Sequence, residues 1–334
     1  MEKYAFDNST WFSWALDPWA AAPAVPVWTE FFARAMPNPP VLDDISQCNS
    51  NLPKAWAATY DDGPSDYTYY LPVVVYERSI KTTFFVIGSC IINSPDVLLS
   101  TFNAGHEISL HTWSHPDLTT ISDDQIISEL VYAAKAVYTV TGVFPKYFRP
   151  PYGSVDARVR SVAATMGVRS VVYEADSRDW QYWSDPATLN TTIPPEFEAW
   201  ISQNVTNQIS LEHEMFEPEA QIAPTVLAIL LDAGYNLMPV HECQGDPNPY
   251  NNTILESFFL SGQFKNQTTL VPQVALLSTT KTTRTSATMT KPLLAQTGEA
   301  GAVATTNTSG QYSRSKEVYI ILPLILIMIL AFIF

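Results

Sequence analysis

Positive charge is what this chain has least of. Only 18 of its 334 residues are Lys or Arg, against 33 Asp and Glu, for a formal net charge of −15. Nucleic-acid backbones are bound by basic stripes, so composition argues against nucleic acid and for a neutral or cationic partner. Cysteine is scarce as well. Three are present, Cys48, Cys90 and Cys243, which leaves room for at most one internal disulfide. Residues 1–35 also lack a basic stretch followed by a clean apolar run, so no secretory leader is legible there.

Other features nevertheless point to the secretory route, and the expectation is an incomplete N-terminus. Asn-x-Ser/Thr sites begin at Asn8, Asn190, Asn204, Asn251, Asn266 and Asn307, a density that suggests a glycosylated, secreted chain. The chain ends on VYIILPLILIMILAFIF, residues 318–334, an apolar run at the short limit for a membrane span with nothing polar beyond it. Preceded by the polar spacer GQYSRSKE and the small residues Asn307, Thr308 and Ser309, it has the form of a glycosylphosphatidylinositol signal with attachment at Asn307. An ordinary tail anchor is the rival. Either way the expected location is the outer face of the plasma membrane, or the cell wall.

Between the ends, 46% hydrophobic and 12% aromatic residues supply ample core. Residues 1–50 are rich in Trp, Ala and Pro without clear periodicity and read as a segment that wraps a domain. Residues 51–260 alternate short β-rich runs with helix-like segments. The runs are AWAATYDD, KTTFFVIG, HEISLH, KYFRPP, RSVVYEAD, QISLEHE and YNLMPVHE. Helix punctuation lies between them: Ser94-Pro95 with Gly105 beyond, a capping box at Ser122 and Gln125 with Gly142 as the stop, and a segment from Glu219 to Gly234. About seven such alternations favour an α/β fold with a parallel, TIM-like barrel. Residues 261–317 read as a stalk, since 14 of the 32 residues from 278 to 309 are Ser or Thr and cannot form a core.

Chemistry in a parallel barrel sits at the C-terminal strand ends, and here those ends are repeatedly polar. The first run ends on Asp61-Asp62, the third on His111 with His115 four residues on, and the fourth on Arg149-Pro-Pro-Tyr152-Gly. The fifth ends on Asp176 with Asp179-Trp180 behind it, and the sixth on Glu212-His213-Glu214. TYDDGPS alone would pass for a polar turn. Yet adjacent strand residues face opposite sides, so two buried carboxylates need a cation or two different partners. His111 and His115, placed on one helical turn, would present both imidazoles to one point. Two His and a carboxylate make three metal ligands with positions left open, the form of a catalytic centre.

TYDDGPS, HTWSH, RPPYG, DSRDW and ISLEHE, in that order, closely resemble the five motifs of the polysaccharide deacetylases, the NodB-homology carbohydrate esterases, over roughly residues 52–245. GHEI before HTWSH, and HEC at Cys243, resemble the fungal chitin deacetylases. The resemblance implies a distorted (β/α) barrel and metal-dependent N-deacetylation. Asp62, His111 and His115 would hold the metal, zinc or alternatively cobalt, and Asp61 would be the general base. His213 would be the general acid, with Asp176 setting its charge and orientation and Arg149 holding Asp61. The Tyr152 backbone N–H would help stabilise the oxyanion, and Trp180 and Leu211 would line the acetyl pocket. Chitin, or another N-acetylglucosamine polymer, is the implied partner. Peptidoglycan, xylan or a non-catalytic glycan-binding role are the alternatives.

Tyr60, the Ser109-Leu110 pair and Glu214 depart from common family residues without touching a proposed catalytic atom. In an oxidising compartment Cys48 and Cys243, which flank the domain, are expected to pair, leaving Cys90 reduced behind the apolar run FFVIGS. His106 begins its run and is expected to be structural; His241 stays open. Trp113, Tyr182 and Trp183 are either core or sugar-stacking residues.

Overall fold

A computed structural model describes residues 12–13, 15–69 and 80–264. The proposed stalk beyond 264, the tail 318–334, and the sites at Asn8, Asn266 and Asn307 lie outside the described residues. No described helix is long and apolar enough to cross a membrane.

The central sheet is parallel throughout. Its strands are β1 (Ala55–Asp61), β2 (Thr83–Val86), β3 (Glu107–Leu110), β4 (Tyr147–Phe148), β5 (Arg169–Ser170), β6 (Ala175–Asp176), β7 (Gln208–His213) and β8 (Asn236–Leu237). Their order is β5-β4-β3-β2-β1-β7-β6, with β8 paired to the start of β1. This is the expected distorted α/β barrel. All seven residues of β1 are buried, as a strand covered on both faces requires.

One expected strand is in fact two. RSVVYEAD supplies β5, paired with β4, and β6, paired with β7, and the sheet is interrupted between them. Residues of the N-terminal segment enter that interruption. Ile45 bridges to Val171, with Ile45 N–H donating to Ser170 O and Val172 N–H to Ile45 O, while Gln47 bridges to Gln208. The backbone groups that splitting the strand would orphan are thus partly satisfied from outside the barrel sequence.

Nine helices are named along the described chain: α1 (Pro26–Ala35), α2 (Gly88–Asn93), α3 (Pro95–Asn103), α4 (Asp123–Thr141), α5 (Ala157–Thr165), α6 (Pro186–Ser202), α7 (Glu217–Asp232), α8 (Val240–Cys243) and α9 (Thr253–Leu260). α4 starts and stops where its punctuation says: the Ser122–Gln125 capping box is formed, and Gly142 takes the left-handed conformation at φ 76°. α1 corrects the reading of residues 1–50 as lacking periodicity. It begins on Pro26, at the helix start where a missing N–H costs nothing. Its Trp28 and Phe32 are fully buried and pack on Phe258 of α9, and Trp28 also meets Tyr132 of α4.

Cys48 and Cys243 are joined, and Cys90 is buried and free, as expected. The bridge lies in a core cluster with Ala55, Ala57, Phe85, Val171, Ile209 and Met238.

Candidate active site

Strand periodicity sets the first acid. Ala55 and Ala57 belong to the cluster just named, so Thr59 and Asp61 continue the same inward face of β1. Asp61 is level with His213 of β7, and Thr59 with Leu211. Partners in a parallel ladder project to one side, so Asp61, His213 and Leu211 share that face.

Asp62 would then point away, but its backbone is left-handed at φ 76°, which turns its carboxylate toward the histidines. Asp62 Oδ1 lies 3.5 Å from His111 Nε2 and 3.3 Å from His115 Nε2. The Gly after it is fixed by crowding. A Cβ on Gly63 would sit 1.8 Å from Glu214 Oε1, a side chain that is fully buried.

His111 and His115 converge without a helical turn, which corrects the expected geometry. His111 follows β3 directly, and the backbone reverses through Thr112 at φ 65° and His115 at φ 61°. The spacing of four is therefore met by bends rather than by helical rise. His111 Nδ1 is 2.7 Å from the Arg149 carbonyl and donates to it, which leaves Nε2 as the electron-pair donor. His115 Nδ1 is 3.2 Å from the Tyr152 hydroxyl, so its Nε2 likewise faces Asp62.

Ligand atoms of Asp62, His111 and His115 all lie within 4.8 Å of one another. One carboxylate and two oriented imidazoles are a donor set that fits zinc or a similar divalent ion. The three imidazoles around Asp62 leave their mark on it. Burial alone would raise its pKa, but His115, His111 and His213 outweigh burial and hold the carboxyl well below the usual range.

Arg149 is buried and clamps the first acid, Asp61. Its Nη1 donates to Asp61 Oδ1 at 2.8 Å and to Thr59 Oγ1 at 2.6 Å, and its guanidinium lies 4.1 Å over the Phe85 ring. Asp61 Oδ2, the other oxygen, is 3.7 Å from His111 Nε2.

His213 is held by Asp179, not by the expected Asp176. His213 Nδ1 is 2.7 Å from Asp179 Oδ1, and the His213 backbone N–H donates to Asp179 Oδ2, also at 2.7 Å. Asp176 ends β6 level with Leu211, two residues short of His213, and accepts the Arg178 backbone N–H at 2.9 Å. Asp179 reaches further because it stands on the turn beyond the strand. Both acids occur in DSRDW; only the turn separates them. Burial would lower the His213 pKa, but Asp179 reverses that and raises it to about 10.

Of the remaining expected residues, Leu211 is buried on the inward face, while Trp180 and Tyr152 are exposed at the rim. Trp113 is core, Tyr182 packs partly buried on a second apolar cluster, and Trp183 is exposed and stacked on Phe216. His106 is buried against Thr82, with its pKa lowered to about 4 by burial. His241 pairs with Glu107, 3.2 Å away, at the strand-start end of the barrel. Asn190, Asn204 and Asn251 are exposed, as glycosylation would require.

Fold and site together define an α/β barrel carrying a two-histidine, one-carboxylate metal-binding candidate at its C-terminal rim. Residues 49–171 match the family model described as polysaccharide deacetylase, and this domain belongs to that family. The chain is 35% identical over 218 residues to chitin deacetylase 1 of Cryptococcus neoformans var. grubii, covering 60% of this chain and 46% of that protein. Against the chitin deacetylase of Amylomyces rouxii the figures are 30% over 229 residues, 67% and 53%. The chain thus spans about half the length of these relatives. The structure of the chitin deacetylase from Colletotrichum lindemuthianum superposes with a TM-score of 0.58 at 29% identity, covering 63% of this chain and 96% of that one.

Proposed function

We propose that this protein is a metal-dependent deacetylase that hydrolyses the N-acetamido group of N-acetylglucosamine units in chitin, giving chitosan and acetate. One observation carries the reading: the metal donor set stands beside an acid clamped by Arg149 and a histidine clamped by a carboxylate. The names of the similar fungal proteins supply the substrate class.

Asp62, His111 and His115 would hold a divalent ion, zinc first and cobalt as the alternative, and when bound it would supply Lewis acidity that makes a water easier to deprotonate near neutral pH. Asp61 accepts that water's proton through Oδ2, because Arg149 occupies Oδ1. The water oxygen bonds to the amide carbon, and the C–N bond breaks. His213, its Nδ1 fixed by Asp179, delivers the proton the departing nitrogen needs from Nε2. With its pKa raised to about 10, it is charged at neutral pH and has that proton to give. The Tyr152 N–H stabilises the oxyanion, and Trp180 and Leu211 bound the acetyl methyl. We place the activity at the cell surface or wall, on the strength of the apolar tail and the glycosylation sites.

The deciding experiment is acetate release from chitin oligomers, measured on metal-loaded protein and again after chelation. Release should stop with chelator and return with zinc. Metal-loaded protein that yields no acetate from any acetylated glucosamine polymer would refute the reading.

A further inference from the structure

Glu129 has no role in the reaction just described, yet it is 1% exposed on α4, directly beneath the loop that carries both metal-binding histidines. Four donors converge on its carboxylate. Trp113 N–H and Ser114 N–H reach Oε2 at 2.9 and 2.8 Å; Ser114 Oγ and Ala22 N–H reach Oε1 at 2.7 and 2.9 Å. That matches the accepting capacity of a carboxylate, and no Lys or Arg pairs with it among the described residues.

Trp113 and Ser114 are the residues between the ligands. Their loop holds two left-handed residues, Thr112 and His115, a conformation costly for side chains other than glycine and kept only where the surroundings enforce it. The enforcement comes from two sides. The N–H groups at 113 and 114 are fixed by Glu129, and the carbonyls at 112 and 113 accept from Gly88 N–H at 2.9 Å and Ser89 N–H at 3.1 Å. His115 N–H is bound within the loop by Thr112 Oγ1 at 3.0 Å.

We infer that Glu129 is a positioning residue for the metal centre, holding His111 and His115 in ligating geometry. The N-terminal segment takes part through Ala22, which lies outside the matched residues 49–171 and supplies the fourth donor. The inference rests on Asp62, His111 and His115 being metal ligands, but not on which glycan is the substrate.

The test is metal affinity of the full chain, read separately from catalysis. Glu129→Gln puts an N–H where a donor now finds an acceptor, whichever way the amide turns, so at least one buried bond is lost. Zinc affinity, measured by chelator competition, should fall roughly 10- to 100-fold, the range seen when groups that orient metal ligands are changed. The visible absorption of the cobalt-loaded protein should shift as well. Ser114→Ala deletes one donor and should weaken zinc by about threefold, a smaller effect in the same direction. Each variant's metal-free circular dichroism and unfolding temperature serve as the fold control. Wild-type zinc affinity and an unshifted cobalt spectrum in a folded Glu129→Gln protein would overturn the inference. Should that variant not fold, Ser114→Ala decides by the same criterion. Wild-type protein that binds no divalent ion overturns it too. Intact metal binding without acetate release instead refutes only the proposed activity.

Discussion

Asp61 and Asp62 are neighbours with different employment because the chain changes hand between them. Asp61 keeps strand geometry and meets Arg149; Asp62 leaves it at φ 76° and meets two imidazoles. Replacing each should therefore produce a different defect. Asp62→Asn removes the anionic member of a three-ligand set and should abolish metal retention. Asp61→Asn should keep metal and bind oligomer while turnover drops by roughly 10²- to 10⁴-fold, the usual worth of a positioned base. Arg149→Ala should resemble it in milder form. Elemental analysis beside acetate release checks the division, and metal-free Asp61→Asn would contradict it. The histidine clamp gives a pH test. Asp179 raises the His213 pKa to about 10 against a burial effect that lowers it. An acid works only while protonated, so the alkaline limb of the kcat profile should follow that value. In Asp179→Asn only the smaller effects of Asp62 and Glu219 still oppose burial, and the limb should move to lower pH; in Asp176→Asn it should stay. A limb that moves with Asp176 instead would restore the assignment made from the sequence. That assignment failed because the sequence shows strand ends but not how far a following turn carries its side chains.

Elements were legible where their ends carry local chemistry. Ser122, Gln125 and Gly142 state the limits of α4 within the sequence itself. α1 has Pro26 at its start but no other clear signal, and what makes it a helix is aromatic packing on α4 and α9, a contact distant in sequence. The division of RSVVYEAD was hidden for a similar reason: its partner at the break, Ile45, lies in a segment without strand pattern. The five motifs were readable, whereas the device that shapes HTWSH was not, since Glu129 and Gly88 belong to other elements. Gly88 opens α2 in very close quarters. A Cβ there would lie 2.7 Å from the Trp113 ring and 2.9 Å from the Ala133 backbone of α4. Gly88→Ala should push α2 off the loop and loosen the hydrogen bonds to Thr112 and Trp113 carbonyls. Overpacking of this kind costs about 1–3 kcal/mol, and metal affinity should fall with it. Chemical denaturation with chelator-competition titration checks both, and unchanged stability would mean the gap between α2 and α4 is more yielding than its contacts imply.

At the scale of the whole described unit, the N-terminal segment joins parts that the barrel sequence leaves apart. α1 covers α4 and α9, Ile45 and Gln47 enter the gap in the sheet, and Cys48 is tied to Cys243 at the end of α8. The Cys48 and Asn49 N–H groups add hydrogen bonds to Asn207 O and Cys243 O. The bridge spans a sequence separation of 195 residues, so in the chain-entropy treatment it stabilises by roughly 5 kcal/mol, although measured gains are often smaller. Breaking it should free Ile45 to leave Val171 and reopen the sheet beside Arg149, whose Nε donates to Val171 O at 3.3 Å. Cys48→Ser with Cys243→Ser should therefore lower the unfolding temperature by about 10 °C, a shift of a few kcal/mol in a domain this size. Activity should also fade at temperatures the wild-type protein tolerates. Cys90→Ser, by contrast, removes a buried thiol whose pKa burial pushes up and leaves the bridge intact, so its effect should be small. Thiol titration completes the test: native wild-type protein should show no reactive thiol, and denatured unreduced protein should show one, at Cys90. Peptide mapping that placed Cys90 in the bridge, or a double Ser variant as stable as the wild type, would remove the N-terminal segment from the account of what keeps this site in shape.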